Sequence, residues 1–158
     1  MMNKYTLLLL LCIALLTSCG PRKIYEKHYD IPRITWSRFD VRTFDVEIKD
    51  ISASYDFYIA IRHHTEIPFK NIETKLTIYT PSGEMRMNEQ KIVLRDNEGK
   101  LLGSGMGDLW DIKYLARKGL KFTEKGTCRV EISSTMSKAD LPGIIQVGLI
   151  VEKGNSER

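Results

Sequence analysis

Tyr55-Asp56-Phe57-Tyr58-Ile59-Ala60-Ile61 sets the fold class. Tyr55, Phe57, Ile59 and Ile61 fall at every second position, and successive side chains of a strand point to opposite faces. The segment therefore reads as a strand with one apolar face. Thr43-Phe44-Asp45-Val46-Glu47-Ile48 upstream has the same period, as have Ile72, Thr74, Leu76 and Ile78 downstream. Thr80-Pro81-Ser82-Gly83 then supplies a pre-set proline and a closing glycine, predicting a hairpin into 84–94. Asp96-Asn97-Glu98-Gly99 reads as another turn, and Leu101-Leu102 as the start of a short strand.

Farther along, Leu109, Ile112 and Leu115 recur at helical spacing. With Asp108 as cap and Gly119 as stop, they predict one short helix. Glu124-Lys125-Gly126 turns into a strand on which Cys128, Val130 and Ile132 share the apolar face. In 144–151 nearly every residue is apolar, as in a central strand covered on both sides. Roughly seven to eight short strands, one helical segment and no strand–helix alternation predict an antiparallel β-sandwich, jelly-roll or immunoglobulin-like.

The start of the chain is an address. Lys4 precedes an apolar run from Thr6 to Leu16, which ends in Leu16-Thr17-Ser18-Cys19-Gly20. A positive head, an apolar body and a small-residue exit make an export signal. At about 11 residues the body is too short for a bilayer span of roughly 20. The exit resembles a bacterial lipobox, which implies cleavage before Cys19 and a lipid on its thiol. Residues 1–18 are thus expected to be a lipoprotein signal peptide, 19–34 the lipidated cysteine and a polar tether, 35–153 the β-sandwich domain and 154–158 a frayed tail. Several acyl chains on Cys19 are needed for a stable anchor, because each buried CH₂ adds only about 0.8 kcal/mol.

Composition bounds the rest. The 158 residues carry a formal charge of +4 and three cysteines. The charges are interspersed without a basic stripe, so nucleic acid is not an expected partner. Cys12 leaves with the signal and Cys19 takes lipid. Cys128 alone remains, so no internal disulfide is expected, and its strand position reads as a core thiol.

No catalytic or metal pattern emerges. His63 and His64 are adjacent on a strand and point to opposite faces, so a polar hairpin end fits them better than a metal site. His28, the third histidine, falls in the expected tether. Gly103-Ser104-Gly105-Met106-Gly107 lacks dinucleotide and phosphate-loop spacing and reads as a bulge or close backbone contact. Asp108 and Asp111 are explained as a cap and a solvated neighbour. Nothing assembles a nucleophile, a base and an orienting group, so no enzyme and no cofactor are expected. Trp36, Trp110, Tyr58, Tyr79 and Tyr114 are candidates for a stacking platform, with Tyr58, Tyr79 and Trp110 as the candidate ligand or partner surface.

From the lipobox onward the chain resembles the GldH family of gliding-motility-associated lipoproteins of Bacteroidetes-type bacteria. The resemblance is carried by Trp36, Phe39 and Phe44, by Tyr58 to His63 followed by Ile67 to Ile72, and by the Thr80–Gly83 turn. The Gly103–Asp108 segment and Asp140 to Ile144 with Val147-Gly148-Leu149 complete it. Cys128 stands where an aromatic is commoner, and Ser137 where arginine is usual. The resemblance implies an envelope lipoprotein linked to gliding and to the associated secretion machinery, with other envelope proteins as partners and no known enzyme activity. A lipid-anchored carbohydrate-binding module is the alternative. Gly20 is not the aspartate of inner-membrane retention, and Gly20 to Lys27 is net basic rather than acidic. Both features predict an outer-membrane anchor with the domain facing the periplasm, rather than the cell surface.

Overall fold

The computed structural model describes residues 22–154. The expected signal segment, Cys19 and residues 155–158 lie outside them. Eleven strands follow in order: β1 (Lys23–Asp30), β2 (Thr35–Ser37), β3 (Arg42–Ile48), β4 (Ser54–His64), β5 (Asn71–Tyr79), β6 (Met85–Val93), β7 (Ser104–Met106), β8 (Leu109–Lys121), β9 (Gly126–Ser134), β10 (Asp140–Pro142) and β11 (Ile144–Lys153). One sheet has the order β1-β11-β4-β8-β7, another β3-β9-β5-β6, and β10 pairs with β2 in a two-stranded ribbon. Every pairing is antiparallel.

The two larger sheets pack as a sandwich because each has one apolar face. Phe57, Ile59 and Ile61 of β4 and Val147, Leu149 and Val151 of β11 are buried. Phe44, Val46 and Ile48 of β3, Cys128, Val130 and Ile132 of β9, and Ile72, Leu76 and Ile78 of β5 are buried in the same core. At one margin β1 lies over β3: the Tyr29 ring is 5.1 Å from Phe44, and its hydroxyl donates to the Thr43 carbonyl at 2.9 Å. At the other, Arg117 of β8 reaches Asn88 of β6 at 3.4 Å. The hairpin at Thr80–Gly83 forms as expected, with Tyr79 opposite Met85. The turn at 96–99 also forms, closed by Gly99 N–H donating to the Asp96 carbonyl.

Two expectations are corrected. The segment read as a helix is β8, a strand of 13 residues. Its inward phase is Trp110, Ile112 and Tyr114, with Ile112 buried and the two aromatics half-buried, whereas Leu109 and Leu115 are 45% and 41% exposed. The three leucine and isoleucine positions matched a helical period by coincidence. β4 needs a hydrogen-bonded neighbour along its second edge, and β8 supplies it from His64↔Leu109 to Ser54↔Lys121. Gly119 is not a helix stop but an irregularity in that strand. Its φ is +66°, and its N–H donates to the buried Asp56 carboxylate at 2.7 Å.

The stretch expected as a tether is in large part a strand. Residues 23–30 are an edge strand, β1, paired with β11 from Lys23↔Glu152 to Asp30↔Gln146. An edge strand needs only one apolar face, and here it is made by Tyr25, Tyr29 and the stem of Lys27, whose ammonium lies 4.5 Å over the Tyr29 ring. With no aliphatic residue in that phase, the segment looked polar.

Both termini of the described chain leave from one end of the sandwich. Lys153 N–H donates to the Arg22 carbonyl at 2.7 Å, and Gly154 N–H to the Ser54 carbonyl at 2.8 Å. The β2–β10 ribbon caps the opposite end, with Trp36 and Leu141 fully buried beneath it. Just before β2 the backbone is strained: Arg33 and Ile34 both hold positive φ, 55° and 52°. For a β-branched residue this conformation is an outlier, at a cost of roughly 1–3 kcal/mol. Gly143 N–H, donating to the Ile34 carbonyl at 2.9 Å, ties the strained turn to the segment after β10.

Candidate functional site

On the outer face of the five-stranded sheet, Arg62 on β4 stands directly opposite Asp111 on β8. The pair is bidentate, with Nε donating to Oδ1 at 2.8 Å and Nη2 to Oδ2 at 3.1 Å. The adjoining carboxylate raises the Arg62 pKa further. The pair borders a shallow concavity of about 250 Å³ with Glu26 and His28 from β1, Ala60 on its floor and Lys113 on its rim. Gly148 keeps this face low, because a Cβ there would lie 2.4 Å from His28 Nδ1. Lys113 bonds Glu152 at 2.5 Å and rests 4.1 Å over the Tyr58 ring. The charges on this face are thus largely spent on one another.

The three candidate surface aromatics occupy three different places. Tyr58 lies on the outer face of the five-stranded sheet, partly covered by Lys113. Tyr79, 37% exposed, lies on the outer face of the four-stranded sheet, and its hydroxyl donates to Glu131 at 3.4 Å. There it borders a groove of about 370 Å³ shared with Asp45, Thr127 and Arg129. Trp110 stands opposite the buried His63 and lies against Gly105, where a Cβ would come within 2.5 Å of the indole. Of the other platform candidates, Trp36 is wholly buried and donates to the Asp40 carbonyl at 2.9 Å, and Tyr114 packs on the core. The aromatic side chains therefore share no surface.

The glycine segment acts as the close backbone contact its spacing suggested. A Cβ on Gly103, whose φ is +95°, would sit 2.2 Å from the Asp111 carbonyl oxygen. Cys128 is fully buried, and burial pushes its thiol up to about 12. His63 and His64 diverge as adjacent strand residues must. His63 is fully buried, with Nδ1 2.9 Å from the His64 carbonyl oxygen and Nε2 without a partner among the described residues. Its pKa is lowered, first by loss of water and then by the charge of Arg95. Among the described residues no cluster of metal-ligating side chains converges, and no helix is long and apolar enough to cross a membrane.

The GldH lipoprotein family matches residues 23–151, from the first residue of β1 into the end of β11. The chain belongs to the GldH lipoprotein family. It is 27% identical over 153 residues to the gliding motility lipoprotein GldH of Flavobacterium johnsoniae, covering 92% of this chain and 94% of that one. It is 26% identical over 151 residues to the GldH homolog of Christiangramia forsetii, covering 91% and 92%. Family membership links the chain to gliding motility, and the family is described as one of lipoproteins rather than of enzymes. Among solved structures, a likeness to the infectious bursal disease virus Gx strain has a TM-score of 0.29 at 12% identity, over 86% of this chain and 31% of that one. At that score it carries no argument.

The sequence reading missed the Arg62–Asp111 pair. The signal available was the outward phase of Arg62, between the inward Ile61 and His63. It also missed the apolar side chains around the β2–β10 cap, because Phe39 falls in a turn with no period to place it.

Proposed function

We propose that this chain is a non-catalytic lipoprotein of the cell envelope, anchored through acyl chains on Cys19, which serves gliding motility and the linked secretion machinery through contacts with other envelope proteins. It hangs from the inner leaflet of the outer membrane and faces the periplasm. The observation that carries the reading is continuity: the family match begins at residue 23, only four residues after the lipobox cysteine. The net-basic run from Gly20 to Lys27 supports the periplasmic orientation, at about 1 kcal/mol per cation near an anionic surface. The carbohydrate-binding alternative has less to rest on, since Tyr58 and Tyr79 lie on opposite outer faces of the sandwich.

The test joins anchoring to orientation. Cys19→Ala should leave a longer precursor or release the domain from the outer-membrane fraction, and labelling by a palmitate analogue should disappear. Protease added to intact cells should spare the wild-type protein and digest it once the outer membrane is opened. Labelling that persists in Cys19→Ala would remove the anchor, and digestion in intact cells would place the domain on the surface.

A further inference from the structure

Phe39 is 79% exposed, at the end of the sandwich opposite Arg22 and Gly154. Ile34 and Val41 flank the same β2–β10 cap, each 46% exposed. The cap's inner face is already filled by Trp36 and Leu141, so the core has no use for these three side chains. The strained backbone at Arg33 and Ile34 holds an apolar side chain out in water, and strain of this kind concentrates at functional surfaces. Exposed apolar residues rimmed by polar ones mark interaction sites.

The rim carries a sign. Arg33, Arg38 and Lys138 form no ion pair among the described residues. Arg38 instead lies 5.4 Å from the Phe39 ring, and Asp40 is held by Arg42. Asp140, on β10, is the one carboxylate of the ribbon among the described residues, so three cations against it leave the rim net positive. We propose that this cap docks onto another envelope protein, one that presents an apolar groove edged by carboxylates and receives Phe39. The inference rests on the lipid-anchored, protein-contacting reading above. It excludes the bilayer as occupant, because the chain leaves toward Cys19 from the opposite end, at Arg22. A second copy is disfavoured, since two like-charged rims would meet.

The test places the photocrosslinker p-benzoylphenylalanine at position 39 of the full-length protein in living cells, with parallel placements at Tyr79 and Leu115. Irradiation should give a discrete protein adduct from position 39 and none from the other two. Arg38→Glu with Lys138→Glu should lower the adduct yield about tenfold while leaving the melting temperature unchanged; should that pair misfold, Arg33→Glu serves in its place. An adduct insensitive to charge reversal, an adduct of the chain with itself, or transfer to lipid would overturn the docking surface. Protein adducts from Tyr79 or Leu115 alone would remove the cap but leave the protein-contact reading standing. No protein adduct from any of the three would overturn both.

Discussion

Ile112 and Leu115 separate the strand from the helix that the same residues suggested. In a helix capped at Asp108 both would face the core. On β8 Ile112 is 8% exposed and packs on the core, whereas Leu115 is 41% exposed, opposite Tyr58 on the outer face. Truncating a buried isoleucine to alanine costs about 2–5 kcal/mol, through lost transfer energy and the cavity left behind. Truncating Leu115 removes only part of a cross-strand contact, worth about 0.2–1 kcal/mol. A form of about 140 residues, lacking 1–18, shifts its melting temperature by roughly 2–4 °C per kcal/mol, so Ile112→Ala should lower it by about 4–20 °C and Leu115→Ala by less than about 4 °C. The assay is thermal and urea unfolding of a form that lacks residues 1–18 and carries Cys19→Ala, followed by circular dichroism. Equal losses from the two substitutions, or a mainly helical spectrum, would refute the strand.

Phe57→Ala and Leu149→Ala, both at fully buried positions on adjacent strands, should each cost about 2–5 kcal/mol in the same unfolding assay; a neutral result removes that residue from the core. Cys128, buried with its thiol pushed up to about 12, should stay unmodified by a thiol reagent at pH 8 and react only at the rate of unfolding; rapid native labelling contradicts this. Burial holds the His63 pKa below the ordinary imidazole value of about 6.5, so the unfolded chain binds its proton more readily. Its contribution to stability is complete above about pH 6.5 and declines as the pH falls through the folded value. Urea midpoints measured from pH 7.5 to 5 should therefore drop, and His63→Gln should flatten that drop.

Legibility in the sequence followed burial on two faces. β3, β4, β5, β9 and β11 are inner strands or have one wholly apolar face, so their period of 2 was readable. β1 and β8 were not. The inward phase of β1 is tyrosine and a lysine stem, which reads as polar. The outward phase of β8 contains Leu109 and Leu115, and these broke the alternation into an apparent helical stripe. The ribbon of β2 and β10 is three residues a side, too short for any period. The same logic governs the sites. Cys128 was placed correctly because its strand alternates. Arg62 meets Asp111 across 49 residues, a proximity fixed only by the β4–β8 register.

Loss of the tether changes what the molecule can reach. A polar linker over 19–34 would let the domain swing at the end of some 15 residues of chain. With β1 paired to β11 from Lys23, only three residue steps separate Cys19 from Arg22, a span of at most about 11 Å. A domain anchored there has its terminal end held close to the lipid surface. Its opposite end stands off by the length of the sandwich, along which the 11 residues of β4 extend roughly 35 Å at a strand's rise. With the proposed anchor at Cys19, the β2–β10 cap reaches a height limited by the sandwich itself instead of by some 15 residues of linker. In the proposed orientation, a partner meets it by reaching that height. Inserting a flexible Gly/Ser segment between Gly20 and Arg22 leaves every sandwich contact intact and tests this directly. Crosslinking from position 39 should weaken as the insert lengthens, because a longer flexible connection lowers the effective concentration of the cap at its partner. A yield independent of insert length would show that the partner is not held at a defined distance from the membrane.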